Sequence, residues 1–122
     1  MKYAALGVVL TLFAVSANAG PFEIPSVLRT EHVVILLLTE PCKDQKVLRY
    51  LKSEVHHKYR AGAANNRDLG FRSMCYLEMD EYKTIFIIDE KYDQVDLPKS
   101  MFEPTNGKKV NLNDFKKPGT DV

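Results

Sequence analysis

The segment His32–Thr39, which reads HVVILLLT, most strongly constrains how this chain folds. Between its first and last residues every side chain is aliphatic, and no polar position interrupts the run. An apolar run of this length and β-branched content predicts a strand that is buried on both faces. Pro41 and Cys42 follow directly, and a proline cannot donate to a sheet ladder. We therefore expect a buried strand that ends in a corner at Cys42.

The first nineteen residues have the pattern of an export signal. Lys2 supplies a positive charge, Ala4–Val15 is apolar, and Ala17–Ala19 forms a small-residue cleavage site. The apolar segment is shorter than the roughly 20 residues that span a bilayer. We expect a signal peptide over residues 1–19, cleaved between Ala19 and Gly20, and a periplasmic or secreted mature chain. The alternatives are a membrane anchor and a buried N-terminal helix. Because Gly20 is not a cysteine, a lipoprotein anchor is not expected.

Export changes the interpretation of the two cysteines, Cys42 and Cys75. A cysteine in such a chain can be a nucleophile, a metal ligand or half of a disulfide. An isolated pair in an oxidising compartment most simply forms a disulfide. The chain has no CxxC motif, and two separated cysteines with three histidines do not give a known zinc spacing. We predict a Cys42–Cys75 disulfide.

The segments after Cys42 predict a helix and then a sheet. Apolar residues from Val47 to Val55 recur at helical spacing, which predicts a helix from about Asp44 to Val55. Residues 59–70 predict the end of a strand and then a flexible loop. Between Phe71 and Phe102, three alternating or apolar segments are separated by polar turns, which is typical of an antiparallel meander.

These elements predict the α+β class, with a short curled antiparallel β-sheet, one covering helix and one disulfide. After the signal peptide we expect an extended arm at residues 20–31 and a single α+β domain at residues 32–104. Residues 105–122 are polar, and we expect a flexible tail there. In that tail only Val110, Leu112 and Phe115 are suited to anchor the chain.

The titratable side chains do not form a recognisable catalytic pattern. Neighbouring side chains such as His56 and His57 point in different directions on a helix or a strand, so one ion is not easily held by both. The acidic residues are candidates for acid–base chemistry, but most fall in predicted turns or on an outward face, where they keep a sheet edge solvated. They are Glu78, Asp80, Glu81, Asp89, Glu90, Asp93 and Asp96. We predict no catalytic, cofactor-binding or metal-binding residue, and no cofactor.

Charge is unevenly distributed along the chain. Residues 43–72 carry eight Lys and Arg against three Asp and Glu, whereas residues 73–98 carry two against seven. The structural interpretation is a basic helix beside an acidic sheet edge, and the functional one is a pair of patches that steer a charged partner. The candidate basic patch for partner binding is Lys46, Arg49, Lys52, Lys58 and Arg60. Nucleic acid is not expected as a partner, because of the compartment and the balanced net charge.

Five tyrosines of the mature chain are further candidates for partner contacts, since tyrosine is enriched at interfaces. The alternative is that they pack half-buried on the sheet with the hydroxyl in water. They are Tyr50, Tyr59, Tyr76, Tyr82 and Tyr92.

Several short motifs, taken in order, resemble a loose group of small exported proteins encoded by phages and prophages of proteobacteria. The motifs are Thr39–Cys42, Tyr59–Ala61, Gly70 before Cys75-Tyr76, Asp89, and Val95–Phe102. The resemblance implies a periplasmic, disulfide-bridged domain of phage origin. The chain departs from the group in its loop at residues 62–70, its more charged helix and its polar tail. The group has no assigned activity, so the resemblance assigns no site residue.

Together these features predict a small exported protein that acts as a non-enzymatic binding, accessory or inhibitor-like module of phage or prophage origin. Its partner would be an unknown periplasmic protein, and no stable membrane span would remain after cleavage. Two alternatives stay open. One is a small periplasmic hydrolase that uses carboxylates or histidines. The other is a membrane-associated structural subunit that retains its signal.

Overall fold

A computed structural model describes residues 22–117, which form a seven-stranded antiparallel sheet, a two-stranded sheet and short helices. The expected signal peptide, the cleavage between Ala19 and Gly20, and residues 118–122 lie outside the described residues. The strands are β1 (Phe22–Glu23), β2 (Ser26–Arg29), β3 (Val33–Pro41), β4 (Arg60–Asn66), β5 (Gly70–Met79), β6 (Thr84–Asp89), β7 (Gln94–Pro98), β8 (Glu103–Pro104) and β9 (Lys109–Val110). The α-helices are α1 (Gln45–Tyr50) and α2 (Leu112–Phe115), and 3₁₀ helices span Ser53–Lys58 and Lys99–Met101.

The large sheet is a curled half-barrel with the strand order β7-β6-β5-β4-β3-β2-β8. All neighbouring strands are antiparallel, and β4 to β7 follow one another as hairpins. The 3₁₀ helix Lys99–Met101 carries the chain from β7, at one edge, to β8, at the other. A link this short requires the two edges to approach each other, so the sheet must curl. The predicted curled antiparallel sheet and its meander are confirmed.

The concave face of the half-barrel encloses one apolar cluster. Alternate residues along each strand point to this face, as the two-residue period of a strand requires. The buried members are Leu28, Ile35, Leu37, Ala64, Met74, Tyr76, Ile85, Ile87 and Phe102. Tyr76 is 2% exposed, and its hydroxyl donates a 2.7 Å hydrogen bond to the Leu38 carbonyl. This carbonyl lies in an irregular part of β3, where the β3–β4 register shifts between Leu37 and Pro41.

The convex face carries two further clusters, and each includes a buried residue of one α-helix. Phe115 of α2 is fully buried beside Ile24, Val27, Leu36, Leu38 and Ala63. Val47 of α1 is fully buried beside Tyr59, Ile88 and the two cysteines. The predicted disulfide is confirmed, with the Cα atoms of Cys42 and Cys75 5.5 Å apart. It joins the corner after β3 to the middle of β5.

The predicted helix over residues 44–55 is divided in two. Asp44 is the N-cap of α1, where its side chain accepts hydrogen bonds from the backbone N–H groups of Lys46 and Val47. Leu51 then has an extended backbone (φ −85°, ψ 150°), which ends α1, and the 3₁₀ helix continues from Ser53. Both pieces contribute apolar side chains to the same cluster, so the sequence pattern resembled one longer helix.

Residues 59–70 were expected to hold the end of a strand and then a flexible loop, but residues 60–66 form a full strand, β4, in the middle of the sheet, and the turn is limited to residues 67–69. The small residues of β4 have low strand propensity, but here they make room for larger neighbours. A Cβ atom at Gly62 would lie 3.0 Å from Met74 Cγ and 3.1 Å from the Leu36 carbonyl oxygen. Packing by adjacent strands therefore overrides local preference.

The domain is longer than the expected span of residues 32–104. Val27 and Leu28 of β2 are 1% and 3% exposed, and β2 pairs with β3 and β8. At the other end, Asn65 Nδ2 donates to the Phe115 carbonyl (2.8 Å) and the Lys117 carbonyl (3.1 Å). Residues assigned to an arm and a tail therefore belong to the folded domain, because single apolar side chains there complete its convex core.

Candidate binding surface

The turn between β6 and β7 is built around the buried carboxylate of Asp89, which is 8% exposed. Asp89 Oδ1 accepts hydrogen bonds from the backbone N–H groups of Lys91 (2.8 Å) and Asp93 (3.1 Å). The Tyr92 N–H donates to the Asp89 carbonyl at 2.9 Å. Tyr92 itself has a left-handed backbone with φ 68°, a conformation that is uncommon for a bulky residue. The hydrogen bonds to Asp89 hold the turn in this shape.

Arg72 on β5 fixes the same turn from the concave side. Its Nη1 donates to Asp89 Oδ2 at 2.9 Å and to Asp93 Oδ2 at 2.6 Å. The hydrogen bond to Asp89, followed by the one to Asp93, raises the pKa of Arg72 above its ordinary value. Both carboxylates are thereby paired with one guanidinium group, and the turn is tied to the neighbouring hairpin.

Two tyrosines stack on the outer side of this turn. The rings of Tyr50, on α1, and Tyr92 lie 5.2 Å apart between centroids with an interplanar angle of 23°. Gln94 Nε2 donates to the Tyr50 hydroxyl at 3.1 Å. The two tyrosines are 57% and 48% exposed. We call Tyr50, Tyr92 and Gln94 the tyrosine platform.

Helix α1 is held beside the turn by two contacts. Val47 is buried against the convex face of the sheet, with Ile88 in the same cluster. On the exposed side, Lys46 Nζ lies 3.7 Å from Glu90 Oε2 in an ion pair. These contacts place Tyr50 over Tyr92, although the two residues are far apart in sequence.

The predicted basic patch is divided by the structure. Lys46 pairs with Glu90, and Arg60 Nη1 donates to the Thr39 carbonyl at 2.5 Å. Arg49, Lys52 and Lys58 are exposed, and none of the three forms an ion pair within residues 22–117. Positive charge therefore remains along α1 and the 3₁₀ helix that follows.

The acidic segment is partly neutralised by cations from other elements. Besides the pairs of Lys46 and Arg72, Lys99 Nζ lies 3.2 Å from Glu78 Oε2 and also contacts Asp80. These hydrogen bonds, first to Asp80 and then to Glu78, raise the pKa of Lys99. Ion pairs between segments therefore neutralise part of the acidic segment, in line with the expectation of a basic helix beside an acidic sheet edge.

The histidines lie apart from one another. His56 Nε2 donates to the Leu51 carbonyl at 2.9 Å, His57 is exposed, and His32 lies in the turn between β2 and β3. No group of three or more His, Cys, Asp or Glu side chains in residues 22–117 is arranged to hold a metal ion. The same part of the chain contains no helix that is long and apolar enough to cross a membrane.

Sequence reasoning singled out both tyrosines of the platform but did not bring them together. The stack depends on a turn with a left-handed tyrosine and on the ending of α1 at Tyr50, and neither has a short-range sequence signal. Gln94 was missed for the same reason. Comparison with models of protein families, with curated proteins and with solved structures found no match.

Proposed function

We propose that this chain is an exported, non-enzymatic binding module of the periplasm, of phage or prophage origin, with an accessory or inhibitor-like role. The N-terminal signal pattern and the disulfide support export, since disulfides persist in oxidising compartments. The ordered motifs from Thr39 to Phe102 support the phage origin. The partner is a periplasmic protein, and the tyrosine platform is its contact surface.

The stacked pair Tyr50–Tyr92 is the observation that carries this proposal. Each ring is about half exposed, yet each is held by the other ring and by a hydrogen-bonded support. Tyrosine dominates binding energy at many interfaces because it buries a large area. A ring that is already fixed loses little conformational entropy on binding. A left-handed backbone at Tyr92 is retained at the cost of about 1–2 kcal/mol, which is consistent with a use for its side chain.

The charges near the platform favour an acidic partner surface. Arg49 precedes Tyr50 and Lys91 precedes Tyr92, and both cations are exposed. The nearby carboxylates Glu90 and Asp93 are paired with Lys46 and Arg72. Arg49 and Lys91 form no ion pair within residues 22–117, so both can pair with an acidic partner, which would associate faster at low ionic strength.

Within this proposal α1 serves as the covering helix of the convex face. Val47 anchors it above the disulfide and Ile88. The helix thereby covers part of the core and presents Tyr50 to the partner.

The test is capture of the partner by the tagged chain, crosslinked in the periplasm of its native host. We expect one stoichiometric protein to be recovered with the unaltered chain and to be lost with the double variant Tyr50→Ala, Tyr92→Ala. The matched control is Tyr82→Ala, since Tyr82 is 65% exposed on the β5–β6 turn and has no ring partner in the described structure. Equal recovery with both variants would refute the platform as the contact surface.

Two further results separate the alternatives. Intact mass spectrometry should give the mass of a chain that begins at Gly20. The mass of a chain that begins at Met1 would favour a membrane-associated subunit. A hydrolase would instead show turnover that is abolished by alanine at Glu78, Asp80, His56 or His57. Such a loss of turnover would overturn the non-enzymatic assignment.

A further inference from the structure

The end of the half-barrel opposite the β5–β6 turn contains a cleft of about 720 Å³ between two hairpin tips. One wall is the turn between β2 and β3, with Glu31 and His32, and the other is the turn between β4 and β5, with Arg67 and Asp68. The volume is within the range of about 300–1,000 Å³ that is common for small-molecule sites. This cleft lies outside the tyrosine platform.

The walls of the cleft are tied together by hydrogen bonds. The Arg67 N–H donates to the His32 carbonyl at 2.7 Å, which joins the two hairpin tips. Asn66 Oδ1 accepts from the N–H groups of Asp68 (2.8 Å) and Leu69 (3.0 Å). Gly70 completes the turn with φ 81°, a conformation that glycine adopts without strain. The cleft is therefore a preformed feature of the fold.

Cations outnumber carboxylates in the cleft. Arg29, Arg67 and Lys116 line it together with Glu31 and Asp68. Arg29 is also paired with Glu103 at 3.7 Å, and Lys116 Nζ lies 5.0 Å from the centre of the Phe71 ring. Arg67 is exposed and forms no ion pair within residues 22–117. Its guanidinium group is therefore available to a carboxylate or phosphate.

A smaller cavity of about 180 Å³ adjoins the cleft and enters the concave face. The two cavities share Val33, Asn66, Leu69 and Gly70. The deeper wall of the small cavity is apolar and consists of Ile35, Ala64, Met74 and Ile87. At its rim, Leu69 and Val95 are 63% and 45% exposed.

The polar residues of the small cavity do not compete for an anion. Arg72 already donates to Asp89 and Asp93, so one guanidinium faces two carboxylates and this wall offers no free positive charge. The small cavity is therefore suited to an alkyl group, and the cleft beside it to a negative charge. If each water-sized group takes about 30 Å³, the small cavity of about 180 Å³ has room for roughly six carbons.

We propose that this end of the half-barrel binds an anionic amphiphile. A carboxylate or phosphate group lies in the cleft near Arg67, and the first carbons of its alkyl chain enter the cavity between Ile35, Met74 and Ile87. Apolar contact supplies affinity, and the charged hydrogen bond to Arg67 selects for an anion.

Titration of the folded, oxidised chain with decanoate, followed by amide NMR shifts, tests the proposal below micelle-forming concentrations. Saturable binding is expected, with shifts concentrated at residues 30–34, 64–74 and 87–95. Decanol and inorganic phosphate, which lack one of the two groups, should each bind at least about tenfold more weakly, since charged hydrogen bonds contribute about 1.5–3 kcal/mol. Decyl phosphate separates a phosphate preference from a carboxylate preference, and tight binding of either amphiphile supports the proposal.

Two substitutions at exposed positions test the two contacts without removing a buried side chain, so the variants should fold. Arg67→Gln should weaken decanoate binding about tenfold and leave decanol unchanged, whereas Leu69→Asn should weaken both. Arg49→Gln and Tyr82→Ala are controls that should change neither, because neither residue lines the cleft or the small cavity. Partner capture through the tyrosine platform is measured separately, so its failure would not affect this result. Equal binding of decanoate and decanol, no effect of Arg67→Gln, or no saturable binding would each overturn the proposal.

Discussion

Replacement of Tyr76 by phenylalanine should change both the stability of the fold and its dependence on pH. Tyr76 is 2% exposed, and its hydroxyl donates to the Leu38 carbonyl in the irregular part of β3. Tyr76→Phe removes the hydroxyl donor and leaves the Leu38 carbonyl without its hydrogen-bond partner. We expect the free energy of unfolding at neutral pH to fall by about 1–3 kcal/mol.

Burial also raises the pKa of Tyr76 from 10.0 to about 12, with a smaller contribution from the charge of Glu78. The unfolded chain loses this proton near pH 10, whereas the folded chain keeps it until about pH 12. The folded state therefore binds more protons in this window, and the free energy of unfolding falls as the pH rises through it. A pKa difference of two units corresponds to a stabilisation of the folded state by roughly 2–3 kcal/mol. This stabilisation is fully present below pH 10 and is lost as the pH rises to about 12.

Urea unfolding at a series of pH values from 8 to 12 measures this effect. The stabilities of the unaltered chain and Tyr76→Phe should converge as the pH rises, because only the former loses the contribution of this hydroxyl. Tyr82→Phe is the matched control, since Tyr82 is 65% exposed and should follow the unaltered chain. Burial also raises the pKa of Tyr59, and this contribution cancels in the comparison. A constant difference between the two curves across the whole range would refute the reasoning.

Three further variants test other contacts, each by chemical denaturation. Replacing both Cys42 and Cys75 by alanine should lower stability by about 3–4 kcal/mol, since the bridge closes a loop with a sequence separation of 33; a loss below about 1 kcal/mol would contradict this. Phe115→Ala should cost about 3–5 kcal/mol, because this side chain is fully buried; a neutral result would mean that α2 is not part of the core. Lys83→Asn should stabilise the β5–β6 turn by up to about 1 kcal/mol, because φ is 56° at this position; destabilisation would count against backbone strain there.

The sheet could be predicted in large part because its strands carry strong local patterns. The aliphatic run of β3 and the alternation in β5 have a period that does not depend on the rest of the fold. The disulfide was also predictable, since the chain offers only one pair of cysteines.

Other elements depend on contacts that a local pattern does not contain. β4 is a strand because Met74 and Leu36 pack against Gly62, and its own residues do not favour that state. Phe115 was recognised as an anchor, but a single aromatic residue in a polar segment does not indicate a buried helix. The tyrosine platform was missed as a unit because the stack joins a helix to a turn through tertiary packing.

The pairing of β2 with β8 has a consequence for how the chain acquires its structure. Ser26 lies opposite Pro104, so the two ends of the domain meet in one ladder. An N-terminal fragment that ends before Glu103 lacks this contact, and contacts between distant residues slow folding. A chain that emerges from its N-terminus must wait for β8, the last strand of the large sheet, and meanwhile the edge of β2 is open to other chains. The yield of folded protein should therefore depend on chain concentration during that interval.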